Sequence, residues 1–169
     1  MGDTVMYRSI FFALVVVFLV PTVHADDWLQ FRGPDGLGVS LEKGLPESWG
    51  DEQNLAWKIP MPGYGASSPI VLGNRIYLTC YSGYGINPEA DEKMDDLRLH
   101  VMCLGLADGE QVWTKTVMPI LPESERVRDH GYAAGTPVTD GEKLYVFFGK
   151  TGVLAFDLDG NQLWQADVG

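Results

Sequence analysis

The sequence repeats a pattern of short apolar segments, and this repetition limits the folds that the chain can form. Residues 67–80 (SSPIVLGNRIYLTC) match residues 135–148 (GTPVTDGEKLYVFF) in their small residues, proline, glycine turn and final apolar run. Residues 100–117 and 152–169 match in the same way, since each has an apolar strand, an Asp-Gly turn and a tryptophan. A repeat of this size indicates stacked copies of one supersecondary unit.

Each full copy is expected to form four short strands. In the second copy we predict these strands at 136–139, 143–148, 153–157 and 162–166. The connections are short Gly/Asp turns, which suit antiparallel hairpins and are too short for parallel crossovers. Four-stranded antiparallel units repeated along a chain are typical of propeller blades. The sequence therefore predicts one blade at 67–117 and a second at 135–168.

A third, partial copy precedes the two full ones. Residues 54–60 carry Trp57 in a strand-like segment without the other three strands. We predict a closing strand there, because the last blade of a propeller is often completed from the opposite end of the chain. Residues 26–53 are expected to form an N-terminal extended segment. The predicted fold is all-β, a partial β-propeller of two four-stranded antiparallel blades plus one closing strand.

Propellers typically contain about 4–8 blades, more than the two found here. We therefore expect the chain to be a fragment of a longer protein. Repeat units without neighbours leave apolar faces uncovered, so the fragment is expected to be poorly stable alone.

The first 25 residues have the pattern of a secretory signal peptide. Residues 10–20 are apolar throughout, and the small residues Val23 and Ala25 precede two acids. This favours cleavage after Ala25 and export to a periplasmic or extracellular location. The alternative is an uncleaved N-terminal membrane anchor, although the apolar run is shorter than the ~20 residues of a spanning helix.

Charge and cysteine content restrict the possible partners and cross-links. The net charge of −11 would repel a phosphate backbone, so nucleic acid is not an expected partner. Exported compartments allow a disulfide between Cys80 and Cys103. The second copy, in which Phe148 and Ala155 occupy the equivalent positions, suggests that the two cysteines share one face in a diagonal arrangement. A disulfide and two buried thiols both remain open.

The segment GVLAFDLDGNQLWQADVG at 152–169 resembles the pyrroloquinoline-quinone (PQQ) repeat. It is similar to the repeats of eight-bladed quinoprotein alcohol dehydrogenases and of the outer-membrane-protein assembly propeller. The opening WLQFRGPDGLGVS at 28–40 is similar to that of exported bacterial PQQ-like propellers. The resemblance implies that Trp57, Trp113 and Trp164 dock neighbouring blades.

Quinoprotein enzymes of this family hold PQQ with calcium and often use adjacent cysteines. This sequence has no adjacent cysteines, and no catalytic aspartate can be matched. We predict no catalytic residue, metal site or cofactor within this chain. PQQ with calcium is expected only if a full-length propeller contains further blades.

Two loops are candidate contact regions. The insertion at 81–98 carries five clustered acids, which suit a basic partner or cation but also an ordinary solvated loop. These acids are Glu89, Asp91, Glu92, Asp95 and Asp96. The connection at 119–137 carries Arg128, Asp129 and His130, which we place at the rim of a central channel. Asp129 and His130 form either an acid/base pair or a polar rim.

We therefore predict a non-catalytic protein-binding or assembly scaffold. The alternative is part of a PQQ- and calcium-dependent oxidoreductase whose site lies in blades outside this chain. One fold carries many unrelated activities, so the fold alone does not choose between them.

Overall fold

The computed structural model of the chain describes residues 26–87, 89–124 and 130–168. These residues form two four-stranded antiparallel sheets, each with its strands in sequence order. The prediction of an all-β chain with two four-stranded antiparallel units is confirmed. The predicted signal peptide, residues 1–25, lies outside the described residues.

Both sheets are simple meanders, and short turns join their strands except between β2 and β3, where the acidic insertion lies. The first sheet contains β1 (Ile70–Leu72), β2 (Arg75–Ser82), β3 (Arg98–Gly105) and β4 (Gln111–Val117). The second contains β5 (Val138–Thr139), β6 (Lys143–Phe148), β7 (Gly152–Asp157) and β8 (Gln162–Ala166). Short 3-10 segments occur at Pro34–Gly36, Met94–Asp96 and Gly149–Thr151.

One face of the first sheet packs against one face of the second sheet. Side chains alternate between the two faces of a strand, so every second residue of each strand points into this shared core. The first sheet contributes Tyr77, Leu99, Val101 and Cys103. The second contributes Leu144, Val146, Phe148, Leu154 and Phe156. All of these side chains are buried. The two sheets are held together mainly by the hydrophobic effect, because their contact removes this apolar surface from water.

The opposite face of the first sheet is covered by the segment 54–60. Ile59 packs there against the buried residues Cys80, Met102 and Leu104. This segment has no regular secondary structure, and the final blade that we expect it to complete is neither of the two sheets described, so the closing strand at 54–60 stays a prediction. A strand needs a neighbouring backbone edge, and neither sheet pairs with this segment. Its side chains cover the sheet while its backbone remains outside the ladders.

The outer face of the second sheet is open in the described part of the chain. Phe147 is 47% exposed and Trp164 is 45% exposed, and all five residues of β8 are exposed. In the first sheet the residue equivalent to Tyr145 is Tyr77, which is fully buried by the second sheet. The two sheets are therefore built alike, but among the described residues only the first sheet has a neighbour on this side.

The N-terminal segment connects the edges of the two sheets. Trp28 exchanges backbone hydrogen bonds with Val71 at 2.8 and 2.9 Å, alongside β1. The amide of Thr139, in β5, donates to the carbonyl of Leu29 at 3.0 Å. Neighbouring residues of one segment thus contact the first strand of each sheet and link them.

The two cysteines lie on opposite faces of the first sheet, which corrects our expectation of a shared face. Cys80 pairs with His100, whereas Cys103 pairs with Tyr77. The error came from the turn after Phe148, for which we assumed four residues. Only three residues intervene, because Phe148 pairs with Gly152. A shift of one residue in the pairing moves every side chain of a strand to the other face, so the predicted face of one cysteine was reversed. Both thiols are free and buried.

The buried thiols give a prediction for chemical modification. Burial raises the pKa of Cys80 to about 11 and also raises that of Cys103. Because the thiolate is the reactive form, neither cysteine should react with Ellman's reagent at pH 8 in the native protein, and both should react in denaturant. Because the pKa of Cys80 is higher in the folded protein than the ordinary value of 9.0, its contribution to folding stability is complete below pH 9 and is lost as the pH rises through about 11. Thiols that appear in denaturant only after a reductant is added would contradict this assignment.

The shared core predicts the effect of shortening one side chain. Leu144 is fully buried between the sheets, so Leu144→Ala should lower the free energy of unfolding by about 2–5 kcal/mol. Leu41 is 84% exposed, so Leu41→Ala should change it by less than about 0.5 kcal/mol. Urea unfolding followed by far-ultraviolet circular dichroism measures both changes. Equal effects of the two variants would mean that the sheets do not share this core.

Candidate functional site

Trp113 attaches the first sheet to the Asp-Gly turn of the second. It lies on β4, and its indole Nε1 donates a hydrogen bond to the carbonyl of Leu158 at 3.0 Å. The ring lies over Gly160, which has a φ of +81°, and a Cβ added there would come within 2.8 Å of the ring. Glycine at this position therefore provides both the turn conformation and the space for the indole.

A basic side chain supports the same contact. Arg75 Nη1 donates to the carbonyl of Leu158 at 2.7 Å and to Asp159 Oδ1 at 3.3 Å. The carboxylate is largely exposed, so the ion pair itself adds little stability. Together, Arg75 and Trp113 supply two donors to one turn carbonyl, which fixes the position of the second sheet against the first.

The turn that receives Trp113 is held in shape by its own carboxylate. Asp157 accepts hydrogen bonds from the backbone amides of Asp159 and Asn161 and from the side-chain amide of Asn161. The hydrogen bonds from Asn161 are the main cause of the lowered pKa of Asp157. The carboxylate therefore stabilises the turn and keeps the Leu158 carbonyl directed at the indole.

Trp57 makes the same kind of contact with the first sheet. Its Nε1 donates to the carbonyl of Leu106 at 3.0 Å. A Cβ on Gly109, which has a φ of +70°, would come within 2.5 Å of the ring. This turn has one extra residue, Ala107, yet it presents the carbonyl and the glycine to an indole as the 157–161 turn does.

Trp164 is the third tryptophan of the series and has no turn to contact within the described residues. Its ring centroid lies 6.0 Å from that of Tyr145, at an interplanar angle of 44°. The equivalent pair Trp113 and Tyr77 has a separation of 5.9 Å and an angle of 49°. Trp164 is thus held in nearly the same arrangement as Trp113, but its ring faces solvent.

We call Tyr145, Phe147, Val153 and Trp164 the open face. They lie on one side of the second sheet, around the fully buried Ala155. Lys143 lies at the edge of this face, in the position that Arg75 occupies in the first sheet. The open face thus groups three aromatic side chains and a valine on one side of a sheet, with a cation beside them.

The acidic insertion is a loop that its own residues hold together. The Glu92 carboxylate accepts hydrogen bonds from the amides of Ile86 and Asn87, both at 3.0 Å, and the Ile86 bond is the main cause of its lowered pKa. The other four carboxylates are exposed. These are Glu89, Asp91, Asp95 and Asp96. Within the described ranges, no group of three His, Cys, Asp or Glu residues could hold a metal ion.

The predicted channel rim is described only in part. Arg128 and Asp129 lie outside the described residues, so the proposed pairing of Asp129 with His130 stays a prediction. His130 is exposed and borders an open cavity of about 490 Å³. Phe31, Ala66, Ala134 and Thr136 line the rest of this cavity.

The sequence analysis missed a buried polar network across three strands. His100 is 8% exposed, with Nε2 2.8 Å from Ser82 Oγ and Nδ1 3.2 Å from Thr116 Oγ1. Burial lowers the pKa of His100, so the imidazole is neutral at pH 7. A hydroxyl meets each ring nitrogen, and the network joins β2, β3 and β4. Only the register brings these residues together, so no local sequence motif could have revealed them.

In the chain as described, no helix has the length and apolar character needed to cross a membrane.

The docking geometry predicts different effects for two glycine substitutions. Gly160 and Gly141 both have positive φ, so alanine should cost about 1–2 kcal/mol of backbone strain at each. A Cβ at Gly141 meets open space, whereas one at Gly160 meets Trp113. Gly160→Ala should therefore lower the free energy of unfolding by about 1–3 kcal/mol more than Gly141→Ala. Urea unfolding curves give the comparison, and equal losses would mean that Trp113 does not occupy this turn.

Comparison with known proteins finds no family model that matches this sequence and no curated protein that matches it.

Proposed function

We propose that the chain is an exported, non-catalytic scaffold that binds proteins or helps to assemble them, and that its two sheets are blades of a PQQ-like β-propeller. The open face carries this proposal. It presents Phe147 and Trp164 to solvent on a sheet whose inner side is anchored in the core. A rigid aromatic surface of this kind loses little conformational entropy when a partner covers it.

The first sheet supports this interpretation, because its equivalent face is covered by another protein surface. The face equivalent to the open one is covered by the second sheet, through apolar contacts and the Trp113 hydrogen bond to Leu158. A partner on the open face would gain the same contacts from Trp164. Binding energy at protein interfaces is concentrated in a few central residues, often tryptophan or tyrosine.

A crosslinking experiment tests the proposal. With p-benzoylphenylalanine in place of Phe147, illumination of producing cells should give a specific protein adduct, and the same group in place of Leu41 should give none. The captured protein is then purified and titrated with the unlabelled chain. Trp164→Ala should weaken this binding by at least about tenfold, since it removes the largest exposed aromatic side chain of the open face.

A different set of results would overturn the scaffold proposal in favour of an oxidoreductase. These results are saturable binding of PQQ in the presence of calcium, together with dye-linked oxidation of an alcohol by the purified protein. Absorbance of the quinone and of the dye reports both. An adduct from Phe147 that Trp164→Ala leaves unchanged would also contradict the role given to the open face.

A further inference from the structure

The chain contains both halves of the contact that joins its two sheets. One half is a donor surface, defined in the first sheet by Arg75, Tyr77 and Trp113. The other half is an acceptor surface, formed in the second sheet by the Leu158 carbonyl, Asp159 and Gly160 beside a buried apolar face. Because the sheets are repeats, each half occurs twice in the molecule.

The second sheet carries an unused donor surface. Lys143, Tyr145 and Trp164 occupy the positions of Arg75, Tyr77 and Trp113. The tyrosine and tryptophan rings have nearly the same separation and angle in both sheets. This surface is therefore arranged for a turn that no described residue of the same chain supplies.

The first sheet carries the matching acceptor surface. The Leu106 carbonyl, Asp108 and Gly109 correspond to Leu158, Asp159 and Gly160. Beside this turn lie the apolar residues that face away from the second sheet. They are Ile76, Leu78, Cys80, Met102 and Leu104. The occupant of this surface is the segment 54–60, which contributes Trp57 and Ile59 but pairs with no strand.

We infer that a second copy of this chain binds the open face head to tail, with Trp164 of one copy docked on the 105–110 turn of the next in place of the segment 54–60. This inference rests on the proposed function and names the partner. Trp164 Nε1 donates to the Leu106 carbonyl, and Lys143 lies opposite Asp108. The contact between copies then repeats the contact between the two sheets.

Replacing the segment 54–60 by the open face of a second copy is favourable if the open face buries more apolar surface of the first sheet than the segment does. The indole hydrogen bond of Trp57 is replaced by an equal one from Trp164. The open face adds Tyr145, Phe147 and Val153 over a sheet face against which the segment 54–60 packs only Ile59. The segment competes with the second copy, so the apparent Kd for association equals the intrinsic Kd divided by the fraction of molecules in which the segment is released.

The net charge of the chain determines how association depends on salt, and the symmetry of the contact determines whether rings or filaments form. Each copy has a net charge of −11, so repulsion between copies should weaken as salt is added. The contact joins two different surfaces and is heterologous. Heterologous contacts form rings when the rotation closes and filaments when it does not.

Sedimentation velocity over a range of concentrations tests this inference with four forms of the purified chain. These are the unsubstituted chain, Trp57→Ala, Trp164→Ala and the double variant. Trp57→Ala frees the acceptor turn and should strengthen association by at least about tenfold. Trp164→Ala removes the donor, so it and the double variant should remain monomeric. Far-ultraviolet circular dichroism checks that each form keeps its strands.

A second substitution blocks the acceptor without changing the open face. Gly109→Ala places a Cβ where the indole must lie, so adding it to Trp57→Ala should abolish the gained association. Monomers of Trp57→Ala at every concentration would overturn the inference, as would oligomers that Trp164→Ala leaves intact. If Phe147 crosslinks a different protein while all forms stay monomeric, the second copy is excluded but the scaffold function stands. Binding of PQQ with calcium and alcohol oxidation would overturn the scaffold function as well.

Discussion

The structure depends on one interaction, the placement of an indole ring over a glycine in an Asp-Gly turn. The ring adds apolar contact, and its N–H group joins Arg75 in replacing the hydrogen bonds to water that the Leu158 carbonyl loses when the sheets meet. The apolar faces alone would hold the sheets together without fixing their alignment. The hydrogen bonds from Trp113 and Arg75 to the Leu158 carbonyl contribute to that alignment, because hydrogen bonds are directional and these two meet at one acceptor on the turn.

This interaction also explains why the two sides of the molecule differ. On one side, the segment 54–60 brings Trp57 to the turn of the first sheet, although its backbone forms no ladder. On the other side, Trp164 projects from the open face of the second sheet and is 45% exposed. Trp57 thus docks on a turn although its segment pairs with no strand. Trp164 is held in the arrangement of a docked tryptophan although it contacts no turn among the described residues.

The repeat predicted much of the fold, since it gave the two four-stranded units and the positions of most strands. Local patterns were sufficient there because the connections are short Gly/Asp turns. They were insufficient at Cys80 and Cys103, where the face depends on the number of residues in a turn. At 54–60 a strand-like pattern has no backbone partner among the described residues, so its predicted pairing is not tested there. The network around His100 depends on the pairing of three strands, which a single sequence does not display. The glycines under the tryptophans were recognised as turn residues, but the space that they leave for a ring appears only when the sheets are stacked.

The extra residue Ala107 has a consequence for how such repeats change during evolution. The 105–110 and 157–161 turns differ in length, yet each directs a leucine carbonyl and a glycine at an indole. Selection on this contact acts on the position of the turn carbonyl and on the absence of a Cβ at the glycine. The number of residues between these two positions can differ, as the two turns show. Insertions should therefore be tolerated between the residue that supplies the carbonyl and the glycine, while the glycine itself is retained because a Cβ there would meet the indole.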